Sequence, residues 1–169
     1  MAERVTNVLF LCTGNSCRSV IAEALLNDLG QGRFLAFSAG SHPAGRVNPR
    51  ALRALERRGF PAHGLRSKSW DEFAAEGAPV MDIVVTVCDN AAGEVCPVWP
   101  GAPLSTHWGI PDPAVFSGTE EETEKVFDDV MAMLERRIGD LTRLPLDTLD
   151  ADQLHPRLDD IGTMADDQG

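Results

Sequence analysis

No apolar run in this 169-residue sequence approaches the ~20 residues that a membrane-spanning helix needs, which argues against a membrane protein. The one apolar stretch near the start, Val8-Leu9-Phe10-Leu11, is too short for the core of a secretory signal, and polar residues close it at once. A cytoplasmic protein is expected. Cations are in short supply: 15 Lys and Arg stand against 26 Asp and Glu, for a net charge of -11. That deficit argues against nucleic acid as a partner, because phosphate backbones select basic faces. Cysteine is scarce too, at four residues. In the cytoplasm such thiols are catalytic, redox-active or metal-binding rather than structural disulfides. No internal repeat is visible.

What remains is the composition of an ordinary globular protein, 43% hydrophobic and 24% charged, of a length suited to one core. Arg4–Leu11 reads as a buried strand, Ser19–Leu29 as a helix stopped by Gly30 and Gly32, and Phe34–Ser38 as a second strand. Asn48 and Pro49 are an N-cap and first helical position for a helix ending at Arg58-Gly59, and Trp70–Ala75 is a short helix. The β-branched run Met81–Val87 is a central strand, and Leu104–His107 one more. Thr119–Leu141 is a long amphipathic helix with Val126, Val130, Met133, Leu134 and Ile138 on its apolar face. Strands alternating with helices imply an α/β fold, a parallel sheet covered on both faces. Residues 1–145 are expected to form the domain. Residues 146–169 carry seven Asp against one Arg and few large apolar side chains, so they read as a mobile or loosely docked acidic tail.

The chemistry concentrates in Cys12-Thr13-Gly14-Asn15-Ser16-Cys17-Arg18-Ser19, directly between a strand and a helix. A short loop here curls so that several N–H groups point inward, and the following helix adds its positive end. The result is a cradle for a tetrahedral oxyanion, which Arg18 closes with a fork matching two oxygens at once. Cys12 lies at the bottom, where the N–H groups, the helix dipole and the Ser19 hydroxyl favour thiolate over thiol. Gly14 allows close backbone approach or positive φ. Further on, Asp112 stands between Pro111 and Pro113, on a stiff segment with little freedom to wander. That suits a general acid, although Asp-Pro on its own is also a common turn.

With the octet and this Asp-Pro in place, the stretch from about Val5 to Leu141 resembles the low-molecular-weight protein tyrosine phosphatases and the arsenate reductases derived from that fold. The resemblance implies a three-layer sandwich around a four-stranded parallel sheet, with the site at the carboxyl end of the first strand. It implies that Cys12 is the nucleophile, Arg18 the oxyanion-binding arginine, Ser19 the thiolate-stabilising hydroxyl, Asn15 the residue that shapes the loop and Asp112 the acid. Thr13, Gly14, Ser16 and Cys17 complete the expected substrate loop, with Cys17 packed and inert. Phosphatases of this fold usually place tyrosines after the Asp-Pro; here Ala114-Val115-Phe116 follows, and the chain has no tyrosine. His107-Trp108-Gly109 resembles the reductase pattern instead.

Reduction of arsenate needs two electrons, which thiols supply by forming a disulfide. Cys88 and Cys96 are the candidate resolving pair. Strands one and three are neighbours in the resembled fold, which brings Cys88 towards Cys12, with Cys96 passing the disulfide outward; attack on Cys12 by Cys96 is equally open. The expected activity is arsenate reduction with no bound cofactor and an external thiol reductant, thioredoxin or glutathione with glutaredoxin. The rival readings are a phosphatase acting on phosphate monoesters and a non-catalytic thiol sensor. A zinc site is disfavoured, since the Cys12/Cys17 and Cys88/Cys96 gaps exceed a zinc knuckle. Some arsenate reductases of this fold bind potassium through an Asn, a Glu, a Ser and an Asp. Asn15, Glu23 and Ser38 are similar to the first three, while Ser67-Lys68 stands at the Asp. A lysine ammonium there replaces the cation, so no metal is expected; a solvated surface lysine is the alternative. His42, His63 and His155 read as surface histidines.

Overall fold

The computed structural model describes residues 5–62, 64–87 and 103–163. In chain order these form β1 (Thr6–Cys12), α1 (Arg18–Leu29), β2 (Phe34–Gly40), α2 (Pro49–Arg57), α3 (Asp71–Ala74), β3 (Ile83–Thr86), β4 (Leu104–His107), a 3-10 turn (Pro113–Val115), α4 (Glu120–Thr142) and α5 (Ala151–Thr163). The four strands make one parallel sheet in the order β2-β1-β3-β4. Alternate side chains of β1 feed opposite layers, as strand geometry requires. Val8, Phe10 and Cys12 join the core under α1, α2, α4 and α5, while Leu9 and Leu11 join Trp70, Phe73 and Met81 on the other face. The α/β sandwich expected from the sequence is the fold observed.

Local signals explain most boundaries. Asn48 caps α2 by accepting from Arg50 N at 2.8 Å, with Pro49 in the first turn. Thr119 and Glu122 form a reciprocal capping box at the start of α4. Gly30 ends α1 where the chain has no room for a side chain: a Cβ there would stand 2.7 Å from Leu26 O and 2.9 Å from Phe34 Cβ. Among the described residues no helix is long and apolar enough to cross a membrane.

Two expectations need correction. The apolar face of α4 is rotated from the one drawn: Phe127 and Met131 are buried, whereas Val126 and Met133 are only partly so. The seam follows α1, α2 and α5 together rather than one partner, so it is broader than a single stripe. The second concerns residues 151–163, taken as part of a mobile or loosely docked tail. They form α5, capped at Asp150 by Gln153 N (2.8 Å), and its Leu158 and Ile161 are buried. Leu154, Leu158 and Ile161, spaced four and three apart, supply just enough apolar surface to pack against the main core beside edge strand β4. Each fully buried Leu or Ile contributes about 1.5–3 kcal/mol, so Leu158 and Ile161, with the partly buried Leu154 beside them, hold a helix whose remaining faces are acidic.

Candidate active site

Cys12 ends β1 and the octet follows it into α1. The loop is shaped from outside by the segment after β2. His42 N donates to Thr13 O (2.9 Å), Ala44 N to Gly14 O (2.8 Å) and Asn48 N to Ser16 O (2.8 Å). In a trans peptide the carbonyl of one residue and the N–H of the next point in opposite directions. Fixing those three carbonyls outward therefore turns the N–H groups of Gly14, Asn15 and Cys17 away from the 42–48 segment, the disposition that an anion cradle requires. Positive φ falls on Asn15 (46°) and not on Gly14; asparagine tolerates this region where most residues do not. The glycine that the loop cannot do without is Gly40, where a Cβ would lie 2.5 Å from Thr13 O.

Inside the loop a directional hydrogen-bond chain ends on the sulfur. Lys68 N donates to Asn15 Oδ1 at 2.7 Å, which fixes the amide so that Nδ2 donates to Ser19 Oγ (2.8 Å) and Ser38 Oγ (3.0 Å). With a donor already directed at its oxygen, the Ser19 hydroxyl gives its own proton to Cys12 Sγ, 2.9 Å away. Ser38 gives its proton to Glu23 Oε1 at 2.6 Å. Lys68 is 8% exposed, which removes the surface-lysine alternative. Its Nζ donates to Arg66 O (2.9 Å) and lies 3.5 Å from Ser38 Oγ and 3.6 Å from Glu23 Oε1. Burial pulls the Lys68 ammonium below its ordinary value of 10.5, with Glu23 opposing.

Across the mouth, Arg18 and Asp112 face each other, Nη2 to Oδ2 at 3.5 Å, and Arg18 Nη1 donates to Ile110 O at 2.9 Å. Asp112 keeps its other oxygen on Ala114 N (2.9 Å), capping the 3-10 turn. A carboxyl group and a guanidinium thus flank the entrance to a loop with a thiol at its base. Cys17 is buried, and that burial pushes its thiol far up, with Asp112 and Cys12 beside it adding in the same direction. Burial thus disfavours its thiolate. Cys88, Cys96 and His63 lie outside the described residues. Val87, the last described residue before Cys88, donates to Leu11 O at 2.8 Å, one residue before Cys12.

Sequence reasoning missed three supporting groups. Gly40 carries no signal in its own stretch of sequence. Ser67 bridges the two loops, donating to Gly14 O (3.2 Å) while accepting from Gly45 N (3.2 Å). Arg137 is 5% exposed and donates to Gly109 O at 3.2 Å; a cation within the Leu134–Ile138–Leu141 stripe was the signal for it. His155 is exposed as expected, and its Nε2 donates to Ser105 O at 2.8 Å.

An anion loop at the carboxyl end of the first strand, with a thiol below and an aspartate opposite its arginine, defines a phosphatase-type α/β protein. The chain matches the family model of the low molecular weight phosphotyrosine protein phosphatases over residues 7–154, and it belongs to that family. Within the family its relatives include reductases. It is 39% identical to the arsenate reductase of Halalkalibacterium halodurans over 131 residues, 78% of this chain and 91% of that protein. The solved arsenate reductase of Archaeoglobus fulgidus is 36% identical, with a TM-score of 0.61 over 80% of this chain and 98% of its own. A thioredoxin-dependent arsenate reductase of Corynebacterium glutamicum is 28% identical, with a TM-score of 0.54 over 82% of this chain and 64% of its own.

Proposed function

We propose that this chain reduces arsenate to arsenite in the cytoplasm, with electrons from a thiol reductant and no resident cofactor. The observation that carries the reading is the kinship with arsenate reductases, 39% identical over 78% of this chain and 91% of the relative. The strand pairing is compatible with it: Leu11 stands opposite Thr86 and Val87 N donates to Leu11 O, so the chain that leads into Cys88 runs beside the end of β1. Thiols that exchange a disulfide must come close.

Arsenate enters the cradle of residues 12–19, held by the loop N–H groups and the Arg18 fork. The Cys12 thiolate, supported by Ser19, attacks arsenic, and an As–O bond breaks as Asp112 gives its proton to the departing oxygen, which leaves as water. Cys88 thiolate then attacks Cys12 Sγ. The S–As bond breaks with its electron pair staying on arsenic, so arsenic(V) becomes arsenic(III) and leaves as arsenite, while Cys12 and Cys88 are joined. Cys96 attacks Cys88, Cys12 departs as thiolate, and the Cys88–Cys96 disulfide awaits an external dithiol. The kinship with a thioredoxin-dependent reductase favours thioredoxin over glutathione with glutaredoxin.

The test is arsenate-dependent NADPH oxidation coupled through thioredoxin and its reductase, for the parent and for Cys12→Ser, Cys88→Ser and Cys96→Ser. Turnover in the parent, lost in all three, supports the relay. Silence with both thiol systems, alongside aryl phosphate hydrolysis that survives Cys96→Ser, refutes it and leaves a phosphatase.

A further inference from the structure

The residues by which α5 docks, 155–162, lie beyond residue 154, where the family's model ends, and they meet the chain just ahead of Asp112. His155 Nε2 donates to Ser105 O (2.8 Å), Asp159 Oδ1 accepts from Thr106 Oγ1 (2.6 Å) and Leu158 O accepts from Trp108 Nε1 (3.0 Å). The approach is so close at Gly162 that a Cβ there would stand 2.5 Å from both His107 O and Trp108 Cδ1. Trp108 is itself fully buried, with Phe10 at 6.2 Å between ring centroids.

From Trp108 to Asp112 the backbone has no slack. Trp108 N donates to Thr86 O (2.8 Å) and Ile110 N to Val87 O (2.9 Å). Gly109 O is held by Arg137 and Ile110 O by Arg18. Pro111 and Pro113 fix φ on either side of the aspartate. A shift at the indole is thus passed to the carboxyl group, because no joint between them can absorb it.

We propose that α5 is a brace for the general acid: Leu158 and Gly162, acting through Trp108, are positioning residues that set where Asp112 presents its proton. This rests on the reading of Asp112 as the acid. Misplacing a catalytic group by about 1 Å costs on the order of 100-fold, so a helix whose docking residues lie beyond the matched region can govern the rate without touching substrate.

The experiment uses the pre-reduced full chain in single turnover, following arsenate-dependent loss of thiols by rapid quench across pH. Asp112→Asn is the reference. Gly162→Val is expected to slow the step by about 10-fold or more, to leave half-saturation by arsenate within about two-fold, and to remove the same limb of the pH profile that Asp112→Asn removes. In the Asp112→Asn background Gly162→Val should add nothing, the signature of two residues acting as one unit. Trp108→Phe deletes the N–H to Leu158 and shrinks the buried ring; it must show the same non-additivity with Asp112→Asn, and it decides the question if Gly162→Val does not fold. Independent losses in the double variant, or a lower melting temperature with unchanged kinetics, overturn the brace. If Asp112→Asn leaves rate and pH profile intact, the acid assignment falls and the brace with it. If Asp112→Asn is slow while Gly162→Val is normal, the brace alone falls.

Discussion

Lys68→Met separates charge from geometry at the site. The backbone N–H of Lys68 that fixes Asn15 survives the substitution, so the loop keeps its shape and only the ammonium goes. At 3.6 Å from Glu23, with an effective dielectric of ~20, the lost attraction is about 4–5 kcal/mol before desolvation is counted. Removing one member of a buried pair costs roughly 3–5 kcal/mol. Here Glu23 retains the Ser38 proton and its side chain is 15% exposed, so about 2–3 kcal/mol is expected, or a drop of about 5–10 °C in Tm. The charge reaches Cys12 only through Ser38, Asn15 and Ser19, so the single-turnover rate should fall by about ten-fold, 1.4 kcal/mol of barrier. Replacing sodium by potassium at equal ionic strength should leave the parent unchanged and restore part of the rate in Lys68→Met, as the cation fills the space between Asn15, Ser38 and Glu23. Rapid-quench thiol titration in both salts is the assay. A parent that accelerates in potassium, or a variant as fast as the parent in sodium, refutes the claim that the ammonium stands in for a metal ion.

The same lysine gives a pH prediction. Because burial lowers its pKa below 10.5, the folded chain gives up that proton before the unfolded chain does. Its contribution to stability therefore rises with pH from the depressed value up to about 10.5. Urea melts of parent and Lys68→Met between pH 7 and 10 should show the difference moving in that direction; an opposite slope refutes the assignment. Gly40→Ala forces a Cβ to 2.5 Å from Thr13 O. It should cost a few kcal/mol and abolish the thermal protection that the parent gains from phosphate, read by scanning calorimetry. Leu158→Ala should destabilise by about 2–5 kcal/mol in chemical denaturation, against little change for Arg50→Ala, whose ion pair with Glu120 is solvent-screened.

The site was legible because its parts are local. Cys12 through Ser19 are contiguous, Asn48-Pro49 starts a helix by chemistry that three residues carry, and the β3 run is apolar without interruption. What escaped depends on distance. Gly40 is required because Thr13, 27 positions earlier in the sequence, packs its carbonyl against it, and nothing near Gly40 says so. Helix α5 reads as acidic tail because its Asp are many and its large apolar side chains few. Yet Gly162 is the residue that lets the helix come down onto Trp108. The α4 face differs from expectation because periodicity gives a stripe and not its phase, and its third partner, α5, reads as a loosely docked tail.

The charge distribution leads to a last prediction. The chain carries a net -11 and its proposed substrate is an anion, so the long-range field repels what the site must bind. Surface cations do not offset this, for Arg50, Arg57, Arg58, Arg66, Lys125 and Arg143 are each spent on a carboxylate. The least exposed cations are placed differently. Arg18, Lys68 and Arg137 also reach the carbonyls of Ile110, Arg66 and Gly109, which orient them at the loop, where Arg18 stands 3.5 Å from Asp112 and Lys68 3.6 Å from Glu23. Attraction is therefore confined within a few ångströms of the loop, and repulsion dominates beyond it. Salt screens the distant term first, since the Debye length is about 30 Å at 0.01 M and about 8 Å at 0.15 M. Raising choline chloride over that range should increase kcat/KM for arsenate by a few-fold, with kcat unchanged because the chemistry occurs inside the screened shell. Chloride is used because sulfate and phosphate would compete for the cradle. A kcat/KM that falls steadily with salt would mean that local cations govern capture from the start, and the picture of a repelling surface around an attracting loop would be wrong.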